Sequence, residues 1–257
     1  MAMVRIESEE RWAWIVLNRP EKRNALNFQM MDDLAEAFTE LGKKEGVRVV
    51  LLTGEGKAFC SGLDLEALQQ FSHKNFEESL IDSKRYASLL KTIYLFPKPV
   101  IAVLNGPAIA GGCGLASVCD LTLVAETAKM AYTEARIGFV AAIVSYFLVH
   151  TVGERVAREL LLTARLVDAH EALRMGLVNE VVESSRLQAR ARELASQLCD
   201  NSLQSMQATK ALLAGIASPD LDSALDYACE LNARSRSSAD CIEGVAAFLE
   251  KRQPRWK

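Results

Sequence analysis

Histidine is scarce in this chain. There are only three, His73, His150 and His170. They lie far apart and in no HExxH-like spacing, which argues against a histidine-built metal centre. The six cysteines, Cys60, Cys113, Cys119, Cys199, Cys229 and Cys241, are scattered without a CxxC pair. That pattern fits reduced, mostly buried thiols in a cytoplasmic protein, not a disulfide scaffold or zinc ribbon. Charge of either sign is not in excess: the net value is −3, which gives no electrostatic footprint for nucleic acid or an anionic membrane. The opening residues carry Arg5, Glu7, Glu9 and Glu10 before any apolar run, unlike a secretory signal. The longest apolar run, 137–149, is shorter than the roughly 20 residues that span a bilayer. A GxSxG elbow is missing too, which removes the usual serine-hydrolase arrangement. The expectation is a soluble, cytoplasmic protein.

What is present is a large hydrophobic fraction, half of 257 residues, enough for one sizeable core. The first half alternates strand and helix patterns. VRIE, WAWIVLN, VRVVLLT (47–53), VIAVL (100–104) and LTLVA (121–125) read as strands. Asn27 can cap a helix to about Leu41 whose inner face carries Met30, Met31, Leu34, Phe38 and Leu41. A short helix is expected at 64–70 and a longer one at 77–95, stopped by the PKP that follows. Beyond 140 the pattern turns helical, at 142–151, 153–163, 168–175, 185–200, 202–215, 219–236 and 240–251, with LVNEVV (177–182) as a strand. Asp168 with Glu171, and Asp240 with Glu243, resemble capping boxes, and Gly176 stands where a C-terminal glycine cap belongs. The reading is an α/β core over 1–190 followed by a helical region over 191–257.

The stretch GPAIAGGCGLASVCD (106–120) brings a glycine-rich turn to a helix start, behind the strand 100–104. Such a turn presents free backbone N–H groups to negative charge. It is not a phosphate loop of the Walker A type, because Gly112 and Cys113 stand where Lys and Ser/Thr would be. The Gly54–Gly56 pair continues to Phe59, which breaks a dinucleotide fingerprint. A transient oxyanion remains as the candidate anion, and it needs a second donor turn. KAFCSGLDLEAL (57–68) could provide one; the plain alternative is that both are tight strand-to-helix turns.

Taken together, AFCSGLDL, KPVIAVLNGPAIAGGCGLASVCDLTLVAETAKMAYTEARIGF, the opening LNRPEKRNALN, the later ELLLTARLVDAHEALRMGLVNEVV and the closing EGVAAFLEKRQP run nearly the whole chain in order. In that combination the chain resembles the crotonase superfamily, the enoyl-CoA hydratase/isomerase family. The resemblance implies an α/β spiral of ββα-like turns with a C-terminal helical trimerisation region, assembled as a homotrimer or a dimer of trimers. It implies an acyl-CoA thioester as substrate, with coenzyme A arriving as part of that substrate and no separate cofactor or metal. The thioester oxygen would be held by the backbone N–H groups of Leu63 and Gly111. Coenzyme A contacts would fall on Ser61, Leu63, Asp64 and Leu65, with Arg23 or Lys22 near its phosphates and Phe248 and Lys251 in the tail. Asp64 also fits as the cap of the short helix. Where members often carry Lys or Arg two residues after that aspartate, this chain has Glu66. A lysine-rich first helix, used by some members for RNA, is replaced here by NFQMMDDLAEAFTEL, so no nucleic-acid partner is expected.

Hydratases of this family use two glutamates. The first would fall on Gly114 and is absent; the second falls on Glu134 in AYTEARIGF. Without the resemblance, Glu134 reads as an exposed carboxylate at a strand end. With it, a polarised thioester has acidic protons at Cα, and one carboxylate can take and return them. Reversible addition of water to a 2-enoyl-CoA is the family default. A single glutamate also suits double-bond migration, as in mitochondrial-type enoyl-CoA isomerases. After ARIGF the usual proline–glycine run is replaced by the bulkier VAAIVSYFL, which points the same way. A protein that binds acyl-CoA without turnover is the alternative of another class.

Overall fold

The structure, a computed structural model, describes residues 2–64, 75–215, 239, 240, 243, 247, 250 and 252–256. Its centre is a six-stranded sheet in the order β1-β2-β3-β4-β6-β9. These strands are β1 (Val4–Ser8), β2 (Trp12–Leu17), β3 (Val49–Gly54), β4 (Val100–Leu104), β6 (Leu121–Ala125) and β9 (Glu180–Val182). β1 pairs antiparallel with β2, and every other neighbour in this sheet is parallel. Parallel strands covered on both faces read as unbroken apolar runs. Val49–Leu52 and Val100–Leu104 accordingly are fully buried.

Helix α1 (Phe28–Lys43) starts where Asn27 Oδ1 accepts the Met30 N–H at 2.9 Å. Met30, Met31, Leu34, Phe38 and Leu41 are buried on one face, as the 3.6-residue period requires. Helix α2 (Phe76–Tyr94) packs against α1 and opens with a capping box between Asn75 and Glu78. Lys98 closes the far end of α1, donating to the carbonyls of Leu41 (2.7 Å) and Lys44 (2.8 Å).

A second, three-stranded sheet joins β5 (Ala108–Ile109), β7 (Lys129–Ala131) and β8 (Val167–Asp168). It is absent from the sequence reading because strands of two or three residues show no alternation. Helix α3 (Gly111–Ser117) follows β5 directly. The two helices expected at 142–151 and 153–163 are both present, running on as α4 (Ala142–Thr163) across a kink at Gly153, whose backbone (φ 75°, ψ 163°) is not helical. Next come α5 (Ala169–Arg174), α6 (Leu187–Cys199) and α7 (Leu203–Gly215). Asp168 caps α5 through the Glu171 N–H, but Glu171 does not complete a capping box; its carboxylate pairs with Arg165 at 2.7 Å. Gly176 takes the left-handed conformation expected of a C-terminal cap. α6 straddles residue 190 and packs across β3, β4 and β6. The helices expected at 64–70 and 219–236 lie outside the described residues.

Candidate active site

Three backbone turns meet at one edge of the core. The first is the RNAL turn, where Arg23 (φ 51°) and Asn24 (φ 55°) are left-handed. Asn24 is fully buried and its amide Nδ2 donates to Glu55 O (3.0 Å) and Ala58 O (2.8 Å), while Oδ1 accepts the Arg19 N–H (2.9 Å). Those bonds fix the 55–64 segment against it. The Ser61 N–H donates to Arg23 O at 3.0 Å, and isolated bridges link Leu26 to Leu63 and Cys60 to Ala108.

The second and third turns carry the two expected donors. Leu26 N–H donates to Gly62 O (2.7 Å) and Asp64 N–H donates to Leu26 O (2.9 Å). In such a parallel bridge the N–H of the residue between points away from the partner, so Leu63 turns its N–H away from Leu26. Gly111 is the first residue of α3, where a helix leaves its N–H without an internal partner. The turns approach too closely for side chains. A Cβ on Gly62 (φ 86°) would lie 2.9 Å from Ile109 O and 3.2 Å from Gly111 N, and one on Gly112 would lie 2.2 Å from Cys60 O. Ala110, just before the helix, holds φ 51° and ψ −122°. A non-glycine residue there is strained by about 1–3 kcal/mol and persists only where its surroundings force it. The force is visible: its N–H donates to Ala131 O (2.7 Å) and its carbonyl accepts from Cys113 N (2.9 Å) and Gly114 N (3.2 Å).

Glu134 opens a short 3-10 turn, Glu134–Ile137, three residues beyond β7, and is 8% exposed. It is therefore buried, not the exposed strand-end carboxylate that its sequence neighbourhood suggests. Its Oε2 has no hydrogen-bond partner among the described residues. Burial pushes its carboxyl pKa above the ordinary glutamate value, opposed by a hydrogen bond from its own backbone N–H. Glu134, Leu63, Gly111 and Ser61 line one cavity of about 550 Å³. Phe28, Met31, Ile137, Phe139, Val140 and Val144 give it apolar walls.

The remaining expected residues are placed less centrally. Asp64 is buried and forms an ion pair with Arg19, a structural partner the sequence reading did not foresee. Arg23 is exposed on its turn. Leu65, Phe248 and Lys251 lie outside the described residues. Gly114, where the resemblance would put the first glutamate, is covered by two side chains the sequence did not single out. A Cβ there would lie 2.4 Å from both Tyr86 Oη and Val144 Cγ1. Tyr86 comes from α2, and its hydroxyl donates to Gly111 O at 2.7 Å. Only the packing of α2 against the glycine helix reveals it; no local sequence signal does.

A strand-to-helix spiral that presents two main-chain turns and one buried carboxyl to an apolar cavity defines the enzyme class in which comparisons with known proteins place the chain. The sequence model of the enoyl-CoA hydratase/isomerase family matches residues 7–257, and the chain belongs to that family, within the crotonase superfamily. It is similar to a putative enoyl-CoA hydratase of Thermus thermophilus, 43% identical over 95% of this chain and 96% of that one. It is 32% identical to the short-chain-enoyl-CoA hydratase of Clostridium acetobutylicum, over 96% and 95% of the two chains. Among solved structures, an enoyl-CoA hydratase of Mycobacterium smegmatis superposes with a TM-score of 0.93 at 33% identity, covering 99% of this chain and 98% of that one.

Proposed function

We propose that this chain is an enoyl-CoA hydratase that works through a thioester enolate. The Leu63 and Gly111 N–H groups donate to the thioester oxygen as negative charge builds on it, and Glu134 carries the proton. Such donors act on the charge that develops in the transition state, each worth about 3 kcal/mol of barrier. The observation that carries this reading is the bare Oε2 of Glu134, buried in the wall of the cavity that Leu63 and Gly111 also line. A carboxyl with a raised pKa gives up and regains a proton near neutral pH more evenly than an ordinary one. Coenzyme A enters as part of the substrate, past Ser61 and the exposed Arg23.

A second reading, double-bond migration, is favoured by the absence of a second carboxylate at Gly114. One carboxylate can move a proton from Cγ to Cα without water. The two are separated by incubating a 2-enoyl-CoA and a 3-enoyl-CoA in heavy-oxygen water and in deuterium oxide. Heavy oxygen on the β-carbon supports hydration. Deuterium at the α- or γ-carbon with no heavy oxygen supports migration. Tight thioester binding with neither label leaves a binding protein and ends the enzymatic reading.

A further inference from the structure

Gly114 has no side chain, yet the space where one would project is occupied. Tyr86 Oη and Val144 Cγ1 each stand 2.4 Å from the Cβ that Gly114 lacks, and Tyr86 Oη stands 3.2 Å from the one that Gly111 lacks. Gly111 and Gly114 lie three residues apart on α3, so both project to one face of that short helix. The Tyr86 hydroxyl therefore sits over the first turn of α3, beside the residue whose N–H is to hold the thioester oxygen. Tyr86 also lines the same cavity as Glu134.

The direction of its hydrogen bond decides what this hydroxyl can do. A phenol has one O–H to donate and lone pairs that accept. The donor is committed to Gly111 O at 2.7 Å, so what the hydroxyl can offer the cavity is acceptor capacity. Burial, reinforced by the nearby Glu134 carboxyl, raises its pKa well above that of an ordinary tyrosine. It stays neutral, orients a ligand and does not deprotonate one.

We propose that Tyr86 is a catalytic residue that orients the attacking water, in the place left without a carboxylate at Gly114. This rests on the hydration reading above. Water donates one hydrogen to Tyr86 Oη as a hydrogen bond, and that O–H bond stays intact. Glu134 accepts the other hydrogen as a proton. The water oxygen bonds to the β-carbon, and the double-bond electron pair moves through Cα onto the thioester oxygen as the enolate. Glu134 then returns its proton to Cα. Hydroxyl is gained at one carbon and hydrogen at the next, and one water is consumed. Val144 lines the same cavity beside the hydroxyl.

The test is Tyr86→Phe, which keeps the ring and removes only the hydroxyl. Two rates are read on the wild type and on this variant: hydration of a 2-enoyl-CoA, followed by heavy-oxygen incorporation, and exchange of the Cα hydrogens of a saturated acyl-CoA in deuterium oxide. Exchange needs the oxyanion donors and Glu134 but no attacking water. The hydration kcat is expected to fall at least about tenfold further than the exchange rate, with KM little changed. Parallel loss of both rates would mean that Tyr86 only supports the fold of the turn, and unchanged hydration would mean that it has no role; either overturns the proposal while leaving the hydratase reading intact. A wild type that exchanges but incorporates no heavy oxygen would sink the hydratase reading itself, and the proposal with it. Should Tyr86→Phe fail to fold, Val144→Ala widens the same space while keeping the hydroxyl. That wider space holds the attacking water less closely beside the hydroxyl, so hydration is expected to fall further than exchange, and an unchanged ratio of the two rates would contradict the placement of the water beside Tyr86.

Discussion

Replacing Gly114 with alanine should destabilise this protein, although alanine is the better helix former. The added Cβ would stand 2.4 Å from Tyr86 Oη and from Val144 Cγ1. Comfortable contacts between heavy atoms are about 3.5–4.0 Å, so each neighbour must retreat by about 1 Å. Neither is free to do so: Val144 is 3% exposed within α4, and Tyr86 is tied to Gly111 O at 2.7 Å. Overpacking of this kind costs about 1–3 kcal/mol. Displacing the phenol also weakens a buried hydrogen bond worth about 1 kcal/mol, and the gain in helix propensity returns about 1 kcal/mol. The net loss is about 1–3 kcal/mol, or about 2–12 °C in Tm for a chain of this size. Differential scanning calorimetry of Gly114→Ala reads it directly. The same substitution in a Tyr86→Phe background should cost less, since one of the two blocking atoms is gone; coupling of contacting residues is typically about 0.5–3 kcal/mol. A Gly114→Ala variant that melts at or above the wild type, or a cost that is the same in both backgrounds, would refute the claim that this space is filled.

Other expectations follow from the same geometry. Glu134 must be ionised to accept a proton and its pKa is raised by burial, so the acidic limb of kcat/KM should lie above the ordinary glutamate value of about 4.3, and a limb at or below it would contradict the burial. The matching stability effect has a definite sign: a raised folded-state pKa stabilises the fold below the unfolded value, and that contribution is lost as pH rises through the folded one. Glu134→Gln should therefore melt no lower than the wild type at neutral pH. Gly62→Ala forces a Cβ at φ 86° to within 2.9 Å of Ile109 O and separates the two donor turns; turnover should fall on the order of 100-fold, because small misplacements at a reacting centre cost that much. Asn24→Ala would strip three hydrogen bonds from the turn that holds residues 55–64 and should cost at least about 2 kcal/mol in urea unfolding, since buried polar groups lose their partners.

The parallel strands of the large sheet were legible because they are buried on both faces. β4 and β6 match their expected residues at both ends, 100–104 and 121–125. The inner face of α1 was equally plain, its period marked from Met30 to Leu41. The small sheet was not legible, because its strands carry too few residues to show a pattern and are held by tertiary pairing. At the site, the sequence named Leu63, Gly111 and Glu134 through motif resemblance, and all three line one cavity. It could not reveal that Asp64 pairs with Arg19, 45 positions away, nor that Tyr86 reaches Gly111 across 25. Both contacts depend on how distant segments pack. That residue 114 is glycine was visible in the sequence, whereas the side chains that fill the space beside it were not.

The account stands on one carboxyl moving a proton beside two main-chain donors. The most direct measurement is exchange of the Cα hydrogens of a saturated acyl-CoA in deuterium oxide, followed by NMR, for the wild type and for Glu134→Gln. The wild type should exchange them, and the variant should be slower by at least about 100-fold, the lower range for general acid–base catalysis, while still binding the thioester. Equal exchange rates in the two proteins would contradict the account.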